Sequence, residues 1–307
     1  MTRIWRHASP LLVLTALTAV ANVTAVTAVE PVKLRPLPAL YASETGGGLR
    51  HPEGVACGAG GRIAVADTGN GRLLSYALAG DQLVPAPAIR LPELPSPIRV
   101  QFDADGGILA LDGKLRRIAR LTPAGKFLGY VEPPAEIAPG PMIPRSFAVD
   151  RAGNLYILDI FGGRIVVLDP GGGLLRRIAL PDGAGFFSDI AVDGRGAVYA
   201  VDSVGARLYV ARQDDAALAP LTPAMRAEMA FPTALAVDPQ GRLFIADQHG
   251  GGIVIIGPDG SFRGRQAGPG WKEGTLRYPS GLCADGAGTL FVADRENNRI
   301  QAFAVSE

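Results

Sequence analysis

The sequence predicts an all-β fold: a six-bladed β-propeller of four-stranded blades, with the last blade closed by an N-terminal strand. Three observations carry this expectation. A unit ending in Asp recurs six times, its Asp residues 43 to 47 positions apart. Each unit alternates short apolar runs with glycine turns, the pattern of strands joined by tight hairpins. The 307 residues include 40 Gly and 25 Pro, too many for long helices.

The N-terminus reads as an address. Residues 1–10 carry Arg3 and Arg6 and no acid, and residues 11–29 are uncharged. Small residues follow at Ala19-Val20-Ala21 and Val26-Thr27-Ala28. This is the layout of a secretory signal over residues 1–28, cut after Ala21 or Ala28. The alternative is a retained membrane anchor, for which the 19-residue apolar run is barely long enough. Either reading places residues 33–307, the single propeller domain, outside the cytoplasm, secreted or periplasmic. Contact with a membrane follows only from a retained anchor.

The repeats are plainest at the two ends. GGLRHPEGVACGAGGRIAVADTGNGRLLSYAL occupies residues 47–78, and GTLRYPSGLCADGAGTLFVADRENNRIQAFAV occupies residues 274–305. Both run Leu-Arg, Pro-x-Gly, a glycine turn, Val-Ala-Asp, and an Arg five places after the Asp. Four looser copies begin at Pro97, Pro144, Phe187 and Pro232. Three strands are visible in each copy, and GKFLGYV (residues 125–131) and SFRGRQA (residues 261–267) supply a fourth. The last copy has no fourth run. LRPLPALYASE, residues 34–44, has no blade of its own and is expected to fill that edge.

These motifs resemble the NHL-repeat family, whose units run Pro-x-Gly-Val-Ala, Gly-x-Leu-x-Val-Ala-Asp and Asn-x-Arg-Ile. The resemblance implies a propeller that serves as an interaction platform. Related six-bladed propellers include enzymes. The amidating lyases use a three-histidine zinc site, whereas only His51 and His249 follow the leader here. The calcium-dependent lactonase-like hydrolases place a Glu at the start of an inner strand. Glu53 matches that Glu and Asp189 matches a partner, which gives a Glu53/Asp189 calcium pair as an alternative reading, without a matching Asn. The streptogramin lyases use His and Glu over the channel, and His51, Glu53, His249 and Glu296 are of those types. A His there suits a general base.

Symmetry separates structure from function. Asp67, Asp112, Asp159, Asp202, Asp247 and Asp294 recur in every copy, so they read as scaffold, each accepting backbone N–H groups in the loop ahead. Their Arg partners are Arg72, Arg117, Arg164, Arg207 and Arg299, with Gly252 breaking the series. The residues that break the repeat gather where inner strands begin and where the second strand turns into the third. They are His51, Glu53, Arg99, Arg145, Asp189, His249, Arg295 and Glu296. Arg99, Arg145, Asp189, His249 and Arg295 form the expected ligand-binding set of a mixed-charge mouth. Such a mouth suits a protein, a peptide carboxylate or a small polar or anionic ligand. It needs no cofactor and, in this reading, no catalytic residue.

Other features fix the exclusions and the remaining expectations. Thirty Lys+Arg against 29 Asp+Glu leave a net charge of +1, which argues against nucleic acid as partner. The basic run Lys114, Arg116, Arg117, Arg120 and Lys126 reads as a solvated face. Cys57 and Cys283 lie on inner strands of the first and last blades. Strand parity lets both face the closure and bond, or both face away. Longer connections fall at residues 132–143, 211–229 and 268–278. Thr222-Pro223 predicts an N-capped two-turn helix, and Trp271 is expected to be a buried loop anchor.

Overall fold

Each repeat folds as one four-stranded antiparallel sheet. The structure is a computed structural model and describes residues 31–41, 47–79, 82–132, 134, 136 and 141–306. The signal or anchor of residues 1–28 lies outside the described residues. Blade 1 runs Gly54–Gly58, Arg62–Asp67, Arg72–Ala79 and Gln82–Pro85, from the inside out. Blade 2 runs Pro97–Phe102, Ile108–Asp112, Arg117–Leu121 and Phe127–Tyr130; blade 3 runs Pro144–Val149, Leu155–Asp159, Arg164–Leu168 and Leu174–Ala179. Blade 4 has Phe187–Val192, Val198–Asp202, Arg207–Ala211 and the short Ala219–Pro220. Blade 5 has Pro232–Val237, Leu243–Asp247, Gly252–Ile256 and Phe262–Gln266. Blade 6 has Pro279–Ala284, Thr289–Asp294 and Arg299–Ser306, and its outer strand is Lys33–Leu40 from the other end of the chain.

The second strand of each blade reads as a nearly continuous apolar run, as in LYILD and LFIAD. Strands buried on both faces need that composition. All five residues of Leu155–Asp159 and of Leu243–Asp247 are buried. Blades therefore meet face to face. Six apolar clusters lie among the described residues, one at each blade–blade boundary, including the boundary between blades 6 and 1. The inner strands touch in sequence around the ring, and the last returns to the first.

The repeated Asp ties each blade to its own mouth loops. Asp202 accepts N–H bonds from Gly185 and Phe186, before the inner strand, and from Val204 and Gly205, after its own strand. Asp112 does the same for Ser96, Lys114 and Leu115. In blades 3, 4 and 5 the loop wraps the carboxylate so closely that only Gly fits three places on. A Cβ at Gly205 would lie 2.2 Å from Asp202 Oδ2, and one at Gly250 would lie 2.0 Å from Asp247 Oδ2. Where that place is Asn, in blades 1 and 6, the amide joins the lock: Asn70 and Asn297 donate to Asp67 and Asp294 at 2.9 and 2.7 Å.

The Arg five places on completes the lock in three blades, with Nε–Oδ2 distances of 2.6 Å for Arg72, 3.2 Å for Arg164 and 2.7 Å for Arg299. Blade 5, which has Gly252 instead, recruits Arg265 from its outer strand at 2.7 Å from Asp247. Blades 2 and 4 depart from the expected pairing. Arg117 turns outward to Glu132 and lies 3.7 Å over the Tyr130 ring, while the four backbone donors on Asp202 leave no bond to Arg207.

Two further expectations are corrected. The helix after Thr222-Pro223 does not form. The Thr222 hydroxyl accepts the strand N–H of Leu208, so it cannot cap, and a single Met229 N–H to Met225 carbonyl turn remains. Met225 and Met229 are buried there and join the cluster between blades 4 and 5. Trp271 is 75% exposed rather than buried. Its loop is held instead by buried Arg299, which donates to the carbonyls of Trp271, Lys272 and Thr275.

The ring is closed twice. Lys33–Leu40 pairs antiparallel with Arg299–Ser306, and Cys57 is disulfide-bonded to Cys283 with Cα atoms 5.7 Å apart. A Cys57→Ser/Cys283→Ser protein is expected to lose about 2–4 kcal/mol in urea unfolding, since the bond closes a long loop. Equal midpoints with and without reductant would show that the bond does not tie the ring in solution. The aspartates also predict an acid response. Burial pushes Asp202 up, but its four backbone donors outweigh it and hold the carboxyl below the usual value. Its stabilising effect is thus complete above the unfolded pKa of about 3.9 and fades as pH falls through the folded value. Burial wins at Asp294 and raises it, so that group has the opposite slope. Asp202→Asn should therefore flatten the loss of stability between about pH 4 and pH 2, read from denaturant midpoints.

Candidate binding site at the channel mouth

Inner strands begin at the mouth, and the residue two places after the motif Pro points into the axis. In most blades it is small: Gly54, Ser146, Ala234 and Gly281. The backbones crowd at two of these, where a Cβ at Gly281 would lie 2.5 Å from the Glu53 carbonyl and one at Gly54 2.9 Å from that of Ile98. The remaining two positions hold Arg99 and Asp189.

Arg99 lies across the axis. Its Nη1 donates to the carbonyls of Glu53 in blade 1 (3.2 Å) and Ser280 in blade 6 (3.0 Å). Its Nη2 donates to that of Thr233 in blade 5 (3.4 Å), and its Nε lies 3.6 Å from Asp189 Oδ1 in blade 4. Asp189 in turn accepts the Ser146 hydroxyl of blade 3 on Oδ1 and Leu235 N–H of blade 5 on Oδ2 at 3.1 Å. One ion pair thereby reaches the inner strands of all six blades. It borders an axial cavity of about 140 Å³ that Cys57 and Cys283 also line. The Glu53/Asp189 pair does not fit a calcium ion. Both Asp189 oxygens are engaged, a guanidinium stands beside them, and no three His, Cys, Asp or Glu groups converge among the described residues.

Above the strut the mouth is half-buried. Arg295 spans Glu53 (Nε–Oε1 3.4 Å) and Glu296 (Nη1–Oε1 3.0 Å), so these three charges answer one another. Arg145 differs. Its buried Nε has neither a hydrogen-bond acceptor nor an ion-pair partner among the described residues, and its guanidinium lies 5.3 Å over the Phe186 ring. Burial pushes its pKa down, as does the charge of Arg99, while Asp189 and Glu53 push it back up.

The two histidines have other partners than the carboxylates. His51 has φ +45°, and its backbone N–H donates to Asn298 Oδ1 at 2.8 Å. His249 is exposed, stacks on Phe231 at 4.7 Å and meets Tyr278 edge-on at 5.9 Å. It lines a groove of about 480 Å³ with Trp271 and Tyr278. No hydrogen bond or ion pair joins His51 or His249 to Glu53 or Glu296 among the described residues. The reach of Arg99 was missed in the sequence. Its signal was one long side chain in a register of small ones.

The strut and the open guanidinium predict opposite behaviour. Arg99→Met leaves Asp189 buried and unpaired, so it should cost about 3–5 kcal/mol in urea unfolding. Arg145→Gln breaks no hydrogen bond and should change stability by less than about 0.5 kcal/mol. Equal costs for the two variants would deny the strut its role.

The NHL repeat family matches residues 49–76 and 276–303, the first and last blades. No curated protein matches the chain in sequence. Several solved structures share the fold. A streptogramin B lyase aligns at TM-score 0.61 and 14% identity, over 90% of this chain and 97% of its own. Virginiamycin B lyase from Staphylococcus aureus aligns at 0.60 and 16%, over 89% and 99%. A gluconolactonase from Xanthomonas campestris aligns at 0.64 and 16%, over 91% and 99%. Identities this low speak for the fold alone. With the NHL repeat matched in the first and last blades and six four-stranded blades closed into a ring, the chain is a six-bladed β-propeller whose two end blades are similar to NHL repeats.

Proposed function

We propose that the chain is a non-catalytic binding or sensor propeller, acting outside the cytoplasm, that seats an anionic group on Arg145. The observation that carries this reading is the buried Arg145 Nε, which has neither an acceptor nor a carboxylate paired with it among the described residues. A buried donor left unpaired costs about 1–3 kcal/mol, and an incoming carboxylate relieves that cost. The guanidinium fork offers two parallel bonds to such a group. The other charges of the mouth are already matched: Arg99 with Asp189, and Arg295 with Glu53 and Glu296. The basic leader of residues 1–28 supports the location, and the net charge of +1 speaks against nucleic acid. An enzyme acting at the same mouth, lyase-like or lactonase-like, has the shared fold in its favour.

Calorimetric titration with N-acetylated amino acids and with their amides tests the seat. The acids should bind, the amides should not, and Arg145→Gln should weaken binding of the acids by about 10- to 100-fold, the span of a hydrogen bond to a charged group. Identical titrations of acid and amide, or of wild type and Arg145→Gln, would remove the seat. Turnover of a lactone that Glu53→Gln abolishes would replace the binding reading with the enzymatic one.

A further inference from the structure

The mouth is not only charged. Large apolar side chains stand in solvent around it: Leu115 in blade 2, Phe161 in blade 3, Val204 and Phe186 in blade 4, and Tyr278 in blade 6. They come from the two sets of loops the aspartates hold. Phe161 and Val204 are 64% and 52% exposed.

This display is not loose chain. The N–H groups of Leu115, Val204 and Phe186 donate directly to Asp112 and Asp202 at 2.7, 3.1 and 2.8 Å. Phe161 is followed at once by Gly162, whose N–H donates to Asp159. Tyr278 is held at φ +52°, a strained conformation for a bulky residue. Ordered backbone that holds apolar groups in water marks a contact surface. Blade 1 has only Thr68, Gly69 and Asn70 at the matching turn and blade 5 has Gln248, His249 and Gly250, so the apolar groups form a crescent over blades 2 to 4, with Tyr278 of blade 6 set apart by polar gaps.

We infer that this mouth takes the C-terminal end of an apolar polypeptide segment, with its carboxylate on Arg145 and its side chains on the crescent. The inference rests on the reading of Arg145 as an anion seat and names the molecule that brings the anion. Phe186 belongs to both parts, since it lies against the Arg145 guanidinium and in the crescent. The spacing favours a polypeptide over an acyl chain. Polar groups interrupt the apolar ones, with Lys114 beside Leu115, and Arg295 and Glu296 at the blade 6 turn. An acyl chain laid over them would strip water from Lys114 and from the half-buried Arg295 and Glu296 without replacing the hydrogen bonds that water makes. A peptide brings amide donors and acceptors to the same places and places side chains at intervals between them.

The test uses the mature chain and two bead libraries of random hexapeptides, one with free C-termini and one with C-terminal amides. The free-acid library should retain the protein, and the recovered sequences should be rich in Leu, Ile, Val, Phe and Met. Phe161→Ser/Val204→Ser should weaken binding of the best recovered peptide by about 10-fold or more, as expected from losing even one buried apolar side chain. Both sites are exposed, so the variant should fold, and its urea midpoint checks that. Retention on free acids with no apolar enrichment would overturn the crescent and leave the Arg145 seat standing. Apolar enrichment on both libraries alike would overturn the seat, and the C-terminal assignment with it. No retention on either would overturn both.

Discussion

The carboxylate at the end of each second strand is the interaction on which the mouth depends. It is buried in every blade, and in blades 2, 3 and 4 it accepts backbone N–H groups from two loops at once, while in blades 1 and 6 an Asn amide serves for the second loop. One loop leads into the inner strand of the blade, and the other leads out of the carboxylate's own strand. Both loops face the channel. A single side chain thus converts the end of a sheet, where backbone donors would otherwise point at water, into an ordered rim. Glycine or asparagine stands three places on in five blades, where the loop closes tightly over the carboxylate, and Leu115 stands there in blade 2 with its side chain turned to solvent. What differs between blades is the side chain that each ordered loop presents.

That division explains what was legible in the sequence. The aspartate ladder and the glycine turns are properties of one blade and recur in each, so six copies disclosed the architecture. The missing fourth run in the last copy likewise disclosed the closure by Lys33–Leu40. The Arg partners were only half legible. In blade 5 the guanidinium comes from Arg265, on a different strand, and in blade 4 backbone donors take its place. Thr222 carried a capping signal that a strand N–H from Leu208 overrode, which is tertiary structure prevailing over local chemistry. Trp271 looked like an anchor because it sits among glycines, but Arg299 does the anchoring from the third strand of blade 6.

The site was legible as a set of positions and not as a set of pairings. Arg99, Arg145, Asp189 and Arg295 were singled out alike because each breaks the repeat. The structure sorts them by their neighbours. Arg99 and Asp189 face each other across the axis, where small residues in the other blades leave room. Arg295 is bracketed by two carboxylates, whereas the buried Arg145 Nε has neither a hydrogen-bond acceptor nor an ion-pair partner among the described residues. Partnerships of this kind join residues far apart in the chain, 181 positions between Arg99 and Ser280 and more between Glu53 and Arg295, so no local pattern announces them.

The bond between Cys57 and Cys283 has a consequence for the chain as a covalent object. It joins residues 226 positions apart, so nearly the whole propeller lies within one covalent macrocycle. A protease that cuts any loop inside that circle opens it without releasing a piece. The two segments remain joined through sulfur, and the strand Lys33–Leu40 still pairs with the last strand of blade 6. In an oxidising compartment rich in proteases, a nicked molecule would keep its mouth, and only a cut followed by reduction would dismantle the ring.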